Sequence, residues 1–399
     1  MIRHRGRNAQ GSGVASQLWV AVFGRETRYV GRLYLERIVL VVLLISAVVL
    51  SLDTASTLGG FLNEARQLGT ASGFARMGYY LILRAGYNLP SILPMAALLG
   101  VIWVEFSLAR SRQRIMIANS GRAQLVSLAP SLLVGLIIGL SQFVAVAHIR
   151  PASVEAQATE GFRDYGPRFH SEVSGEELIS VEGAVIKARI AFGEPPTLRD
   201  ALIFEIAEDG ALRTIYTARQ AAPVEQGLWL LSDGSVWSTP GFFGTASPVG
   251  QHEPVEVFDS RLVELSLLPL YANNVGIQPA RLPQAVLARL AAAPQGVQNP
   301  TTYRAAYQDR FAAILYVVGM TLLPAVLSIL WFSPQMSSAP VVGIMFWCVG
   351  IYFLASLFSQ LGSYGYLPAP ISAWSIPSLA VAGAIWMGTS HARARGGGT

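Results

Sequence analysis

The chain has 399 residues, of which 52% are hydrophobic and 13% are charged, and its formal net charge is +5. Ordinary soluble domains carry about 25% charged residues. This deficit excludes a typical soluble domain and places the chain in the membrane class. The single cysteine, Cys348, excludes a disulfide within the chain.

The N-terminal segment 1–28 is basic and rich in Gly and Ser, which predicts a disordered cytoplasmic tail. The first apolar run, Leu33–Leu52, is too long for the apolar region of a signal peptide, and no small-residue cleavage site follows it. We therefore expect no cleavable signal peptide.

Six apolar runs are long enough to cross a hydrocarbon layer, which requires about 20 residues of helix. They form two membrane halves of three spans each, at 29–149 and 301–391, and a polar segment at 150–300 separates the halves. The predicted spans are 33–55, 86–108, 124–148, 307–332, 340–361 and 372–390.

Arginines orient these spans. They are concentrated before the first span, between the second and third spans, and in the C-terminal tail 392–399. Cytoplasmic segments of membrane proteins are enriched in Arg and Lys, so all three segments and both termini are predicted to be cytoplasmic. The segment Arg150–Arg304 has 18 acidic and 12 basic residues, the opposite bias, and is predicted to lie outside.

The inserted segment has the pattern of a β domain. Leu178–Ile190 alternates with the period of a strand, and strand-like runs flank Asp209-Gly210 and Asp233-Gly234. Asp-Gly between two such runs predicts a hairpin turn. We therefore predict an α+β membrane protein with six transmembrane helices and an inserted extracytoplasmic antiparallel β domain, either a small sandwich or a jelly roll. An amphipathic helix is expected over Leu282–Ala293.

Motifs for catalysis do not occur. Lys187 is the only lysine, and no Gly-rich loop ending in Lys-Ser/Thr surrounds it, so the sequence predicts no phosphate-binding loop of its own. The five histidines are scattered, without the spacing of metal ligands. We expect no catalytic residue, no metal and no cofactor, and no nucleic-acid partner.

Charged residues at membrane depth are the first candidate site, because burying them in lipid is costly. They are Arg37, Arg84, Glu105, Asp309 and Arg310. The alternative is that each lies near the end of a span and extends to the headgroups. By the predicted topology Arg84, Arg304 and Arg310 lie near the outer leaflet, where guanidinium groups suit an anionic, phosphate-bearing lipid. The candidate lipid-binding residues are Arg37, Arg84, Arg304 and Arg310.

The loop 109–122 is the second candidate site. It is short and basic, has an apolar face, and is expected to form an interfacial helix. The functional interpretation is docking to a cytoplasmic partner that supplies energy; the alternative is an ordinary topology signal. The candidate coupling residues are Arg112, Gln113, Arg114, Ile115, Met116, Asn119, Ser120 and Gly121.

Several phrases occur together in one order, and this order resembles the permeases of lipopolysaccharide export from about Thr27 to Trp386. The first phrase, Pro94–Gly100 (PMAALLG), is more similar to the G-type permease than to the F-type. The others are Ala118–Gly121 (ANSG), Leu228–Leu231 (LWLL), Tyr303–Arg310 (YRAAYQDR) and Leu367–Pro377 (LPAPISAWSIP).

The resemblance implies the membrane half of an ABC exporter in the bacterial inner membrane. Its expected partners are a second six-helix permease of the F type, as a heterodimer, and two cytoplasmic ABC ATPase subunits. A single-helix accessory facing the periplasm and a periplasmic bridge protein complete the expected assembly. The implied cargo is lipopolysaccharide, which is extracted from the inner membrane and passed through an inserted extracytoplasmic β-jellyroll domain to the bridge towards the outer membrane.

Two departures from the family pattern leave alternatives open. The coupling helix of the family carries a Glu where this chain has Arg112-Gln113-Arg114, and a basic residue at the start of the fifth span is missing from Ala339–Gly343. The chain is therefore also compatible with a divergent paralogue that exports another lipid. From a different class, it is compatible with a membrane sensor that has an extracytoplasmic β domain.

Overall fold

The computed structural model describes residues 24–68, 70–118, 126–163, 165–169, 171–225, 227–238, 255–332 and 339–396. They fall into two compact units. The first comprises Met1–Ser153 and Gln308–Thr399, and the second comprises Val154–Tyr307.

The first unit contains the long apolar helices before the sheet. Two of them are much longer than the predicted spans: α1 has 44 residues and α2 has 41. The helices before the sheet are α1 (Arg25–Leu68), α2 (Thr70–Arg110), α3 (Gln113–Ala118), α4 (Ala129–Val144), a π-helix (Ala145–Ile149) and α5 (Arg150–Thr159). A 3₁₀ turn at Val126–Leu128 precedes α4.

The helices after the sheet are α6 (Pro269–Ala272), α7 (Gln284–Ala292), α8 (Pro300–Trp331), α9 (Ala339–Ser363) and α10 (Ala369–Gly396).

Among the described residues, six helical segments are long and apolar enough to cross a membrane, which agrees with the predicted number. They are Arg25–Ala55, Thr70–Arg110, Val126–Thr159, Pro300–Trp331, Ala339–Ser363 and Ala369–Ser390. Each segment extends beyond its predicted span at one end at least, because hydropathy detects only the most apolar part of a helix, whereas backbone hydrogen bonding continues through the polar residues at its ends. The third segment begins two residues later than predicted, and the fourth ends one residue earlier.

Small residues bring the membrane helices into close contact. In α4, a Cβ added to Gly139 would lie 2.7 Å from the carbonyl oxygen of Ile314 in α8, and one added to Gly135 would lie 3.1 Å from the Cα of Val318. Between α2 and α1, a Cβ on Gly100 would lie 2.9 Å from the Cα of Ile38. Such close approach is typical of membrane helices, where packing replaces the hydrophobic driving force.

The prolines of α2 do not interrupt the helix, because the freed acceptor finds another donor. Pro94 has no backbone N–H to give to the carbonyl of Pro90, four residues earlier. The side-chain amide of Gln142 in α4 donates to that carbonyl at 2.8 Å. This bond satisfies the backbone inside the apolar unit, as a membrane environment requires.

The second unit contains a six-stranded antiparallel sheet in the order β1 to β6, so each described strand pairs with its neighbours in the chain. The α+β class and the inserted antiparallel domain are therefore confirmed. Over the described residues the strands follow one another as a meander, without the crossovers that define a jelly roll. They are β1 (Val173–Val181), β2 (Ala184–Ala191), β3 (Thr197–Ile206), β4 (Leu212–Glu225), β5 (Leu228–Ser238) and β6 (Glu256–Glu264).

One face of the sheet forms the core of the second unit. Trp229 is fully buried, and its indole N–H donates to the carbonyl of Leu267 at 3.2 Å. Leu287 and Leu290 of α7 belong to the same buried cluster. The amphipathic helix predicted at Leu282–Ala293 is present as α7, which begins two residues later and ends one residue earlier.

The two Asp-Gly pairs have different outcomes. Asp209-Gly210 forms the turn between β3 and β4, where Gly210 has φ +81° and donates to Ala207 O, so this hairpin is confirmed. The hairpin predicted at Asp233-Gly234 is wrong. Both residues lie inside β5, because its pairing with β4 keeps one register across them and α-carbon partners Thr217↔Ser235 and Gln220↔Ser232 lie on either side.

Candidate functional site

The loop 109–122 contains a short helix that is separated from α2 by a sharp turn. Arg112 has φ +58°, a left-handed conformation that ends α2 and starts α3. Its carbonyl accepts hydrogen bonds from the backbone N–H groups of Ile115 and Met116. Asn119, Ser120 and Gly121 of the predicted coupling segment lie outside the described residues.

The outward face of α3 is apolar with a basic rim. The side chains of Ile115 and Met116 are exposed, Met116 to 72%. Arg110 and Arg112, just before the helix, are also exposed. An apolar pair bordered by guanidinium groups is suited to a protein surface that offers an apolar groove and acidic residues.

Arg114, in the same helix, points inward instead. Its Nη2 lies 2.8 Å from Oε1 of Glu105 in α2, and the hydroxyl of Tyr34 in α1 donates to the same carboxylate oxygen. Glu105 is 1% exposed and Tyr34 is fully buried. One buried carboxylate therefore joins α1, α2 and α3.

The charge of Arg114 is held by this carboxylate. Burial disfavours the charged guanidinium, but the interactions with Glu105, Tyr34 and Glu26 together outweigh it, so the pKa of Arg114 is raised above its ordinary value. Nε and Nη1 of Arg114 are buried and have no hydrogen-bond partner among the described residues. The ion pair to Glu105 is thus the main polar attachment of α3 to the membrane helices.

A second polar cluster joins α1 and α2 closer to the opposite ends of their apolar stretches. The guanidinium of Arg84 binds both carboxylate oxygens of Asp53, with Nε and Nη2 each at 2.8 Å. The hydroxyl of Tyr80 donates to Asp53 Oδ2 at 2.5 Å. A bidentate arginine–carboxylate pair of this kind is strong and geometrically specific.

Arg150 lies beside this cluster. The guanidinium carbons of Arg84 and Arg150 lie 4.9 Å and 5.6 Å from the ring centroid of Tyr87. Arg150 also donates from Nε to the carbonyl of Tyr87 at 3.1 Å. Arg310, in α8, is 2% exposed. Arg84 and Arg150 are thus joined through the ring of Tyr87.

The other two predicted lipid-binding arginines lie elsewhere. Arg37 in α1 stacks on Trp103 in α2, with its guanidinium carbon 4.8 Å from the ring centroid. Arg304 belongs to the second unit, where it donates to the carbonyls of Ala291 and Ala293 at the end of α7. These two hydrogen bonds give Arg304 a structural role in capping that helix.

Sequence reasoning missed Asp53, Tyr34 and Arg150. Asp53 and Arg150 stand at the ends of predicted spans, so hydropathy alone treats them as boundary residues. A charge located within one helical turn of a span end was the available signal for both. Tyr34 carries no such signal, because a tyrosine in an apolar run is most often a packing residue.

Within the described ranges, no group of three or more His, Cys, Asp or Glu side chains is arranged to hold a metal ion. The geometry is that of a polytopic protein with two internal polar clusters, a short helix with an exposed apolar face and an inserted β sheet. A family model described as lipopolysaccharide export system permease LptF/LptG matches residues 28–389. The chain belongs to this family.

Membership of the LptF/LptG family agrees with the six apolar helices and identifies a multi-pass membrane protein. The chain is therefore a permease component of lipopolysaccharide export, and the family is one of transport proteins. The match does not separate the F type from the G type. Comparison with individually curated proteins gives no match.

Proposed function

We propose that this chain is the G-type permease subunit of an ABC exporter that extracts lipopolysaccharide from the bacterial inner membrane. A second six-helix permease of the F type, two cytoplasmic ABC ATPase subunits and a single-helix accessory complete the complex. Cargo passes through the β domain to a periplasmic bridge protein and on towards the outer membrane. The family match and the Pro94–Gly100 phrase support this assignment.

In this proposal both termini are cytoplasmic and the segment 150–300 is periplasmic. The membrane halves are 29–149 and 301–391, and the tails are 1–28 and 392–399. The arginine distribution supports this orientation, because positive residues accumulate on the cytoplasmic side. It puts the loop 109–122 on the side where ATP is available.

The observation that carries the proposal is the exposed face of α3. Ile115 and Met116 present apolar surface on a helix that is anchored inward by Arg114. Energy from ATP enters the membrane helices only through a contact that is both exposed and firmly attached. Residues 112–116, together with Asn119, Ser120 and Gly121, are therefore proposed as the ATPase-coupling segment.

The same face supports a proposal for docking without the family's acidic coupling residue. Arg110 and Arg112 are exposed beside the apolar pair, so the matching surface of the ATPase is expected to be acidic. The attachment that remains inside the chain is the Arg114–Glu105 pair, which connects α3 to α1 and α2. A push on α3 thereby acts on the first two membrane helices.

The test is copurification of the full chain with its ATPase from mild detergent. Ile115→Asp together with Met116→Asp is expected to weaken the association about tenfold or more, because burial of each apolar side chain is lost. Val257→Asp, an exposed apolar residue of β6, is the matched control and is expected to leave it unchanged. Normal recovery of the ATPase with the double variant would sink the docking assignment.

Cargo binding is proposed at the arginines. Arg150 stacks on Tyr87 and Arg310 is buried in α8, and guanidinium groups on membrane helices suit an anion such as a lipid phosphate. The partly exposed Arg37 is a further candidate. Arg84 is neutralised by Asp53, and Arg304 is engaged with carbonyls, so each is expected to contribute less.

Photocrosslinking to lipopolysaccharide tests this proposal. Replacing Arg84, Arg304 and Arg310 together by Ala is expected to reduce the crosslinked fraction, while Arg304→Ala alone leaves it close to that of the wild type. An unchanged crosslinked fraction in the triple variant removes these residues from the cargo site.

A further inference from the structure

A cavity of about 180 Å³ lies among α8, α9 and α10. It is far larger than one water molecule requires. Alanines from all three helices form part of its wall, so the space is not filled by large apolar side chains. The polar groups that line it are Asp309, Tyr316, Tyr352, Ser356 and Ser372.

Asp309 is a carboxylate within a membrane-spanning helix. One of its oxygens accepts a hydrogen bond from the hydroxyl of Ser359. In the part of the chain that the structure describes, no Arg, Lys or His nitrogen lies within salt-bridge distance of it. An ionisable group at this depth is costly and is retained where it meets an ion or a ligand.

The second polar group that matters in the cavity wall is the hydroxyl of Tyr316. It is buried and has no hydrogen-bond partner among the described residues, which costs free energy unless a ligand supplies one. The rings of Tyr316 and Tyr352 both line the cavity, with centroids 6.3 Å apart. Aromatic faces attract a cation, and the hydroxyls can accept hydrogen bonds from N–H groups.

We propose that this cavity binds a primary ammonium group, carried by a zwitterionic lipid headgroup or by a small free amine. The Asp309 carboxylate supplies the counter-charge, and the hydroxyls of Tyr316, Ser356 and Ser372 accept the N–H donors. A quaternary ammonium has no N–H to donate, so the site discriminates against it. This assignment goes beyond lipopolysaccharide export and does not depend on ATPase docking at α3.

The test uses the full chain in nanodiscs that contain equal amounts of phosphatidylethanolamine and phosphatidylcholine, with native mass spectrometry of the lipids that stay bound. The wild type is expected to retain the ethanolamine lipid in preference to the choline lipid. Asp309→Asn keeps the size of the side chain but removes its charge, and is expected to reduce that preference about tenfold or more.

Two further variants make the test specific. Tyr316→Phe keeps the ring and is expected to reduce the preference about fivefold, the loss of one hydrogen bond; it also keeps the proposal testable if Asp309→Asn does not fold. Asp200→Asn, an exposed carboxylate of the sheet, is the control and is expected to leave the preference intact.

Adding free ethanolamine to the wild type shows whether the cavity binds a free amine or the amine of a lipid headgroup. Displacement of the lipid by the free amine identifies the amine alone as sufficient, and no displacement identifies the headgroup as the ligand. Equal retention of the two lipids by the wild type, or an unchanged preference in both Asp309→Asn and Tyr316→Phe, overturns the proposal.

Discussion

Breaking the Arg114–Glu105 ion pair, which attaches α3 to the membrane helices, tests most directly whether α3 transmits force to them. Arg114→Met removes the guanidinium and leaves the Glu105 carboxylate, 1% exposed, with the Tyr34 hydroxyl as its one remaining partner among the described residues. Removing one partner of a buried ion pair costs about 3–5 kcal/mol, because the remaining charge is uncompensated. Arg110→Met loses only an exposed stacking contact over Phe106, which is worth about 0.5–1 kcal/mol.

Hydrogen exchange of the α3 amides measures the difference. A cost of about 3 kcal/mol corresponds to exchange faster by about two orders of magnitude, if α3 opens locally. Combining Arg114→Met with Glu105→Gln removes the lone charge and is expected to recover much of the protection. Equal exchange rates in Arg114→Met and Arg110→Met, or strict additivity in the double variant, would refute the reasoning.

Two further predictions concern packing. Gly100→Ala is expected to force α1 and α2 apart and to lower the thermal stability of the solubilised protein, because the new Cβ would lie 2.9 Å from the Cα of Ile38. Gly78→Ala serves as the control, since a Cβ at that position of the same helix meets open space. Trp229→Ala is expected to destabilise the β domain by about 3–5 kcal/mol, because it empties a fully buried site. The loss is measured by denaturant unfolding monitored by circular dichroism. Trp229→Phe should cost less, and equal losses of stability in the two variants would contradict a packing origin.

Local chemistry was sufficient to predict the architecture. The number of apolar helices, the inserted antiparallel domain, the helix at Gln284–Ala292 and the turn at Asp209-Gly210 all follow from short-range patterns. Asp233-Gly234 carries the same local turn signal but lies inside a strand. There, pairing with β4 on one side and β6 on the other outweighs the preference of two residues.

The polar clusters depended on tertiary structure. Arg84 and Asp53 are separated by 31 residues in the sequence, and Tyr34 and Glu105 by 71. A local sequence pattern therefore cannot reveal either pair. The long helices are apolar on nearly every face, and such helices have no stripe that indicates which side is buried. How α1 and α2 are rotated against each other depends on close contacts such as Gly100 on Ile38.

The sequence by itself therefore determined which segments enter the membrane, because the transfer of an apolar helix into lipid depends on composition and length alone. Only the tertiary structure decided that Arg114 turns inward to Glu105 while Ile115 and Met116 face outward. The physical reason is that a buried charge needs a partner, and that partner is provided by another helix whose position no local pattern specifies.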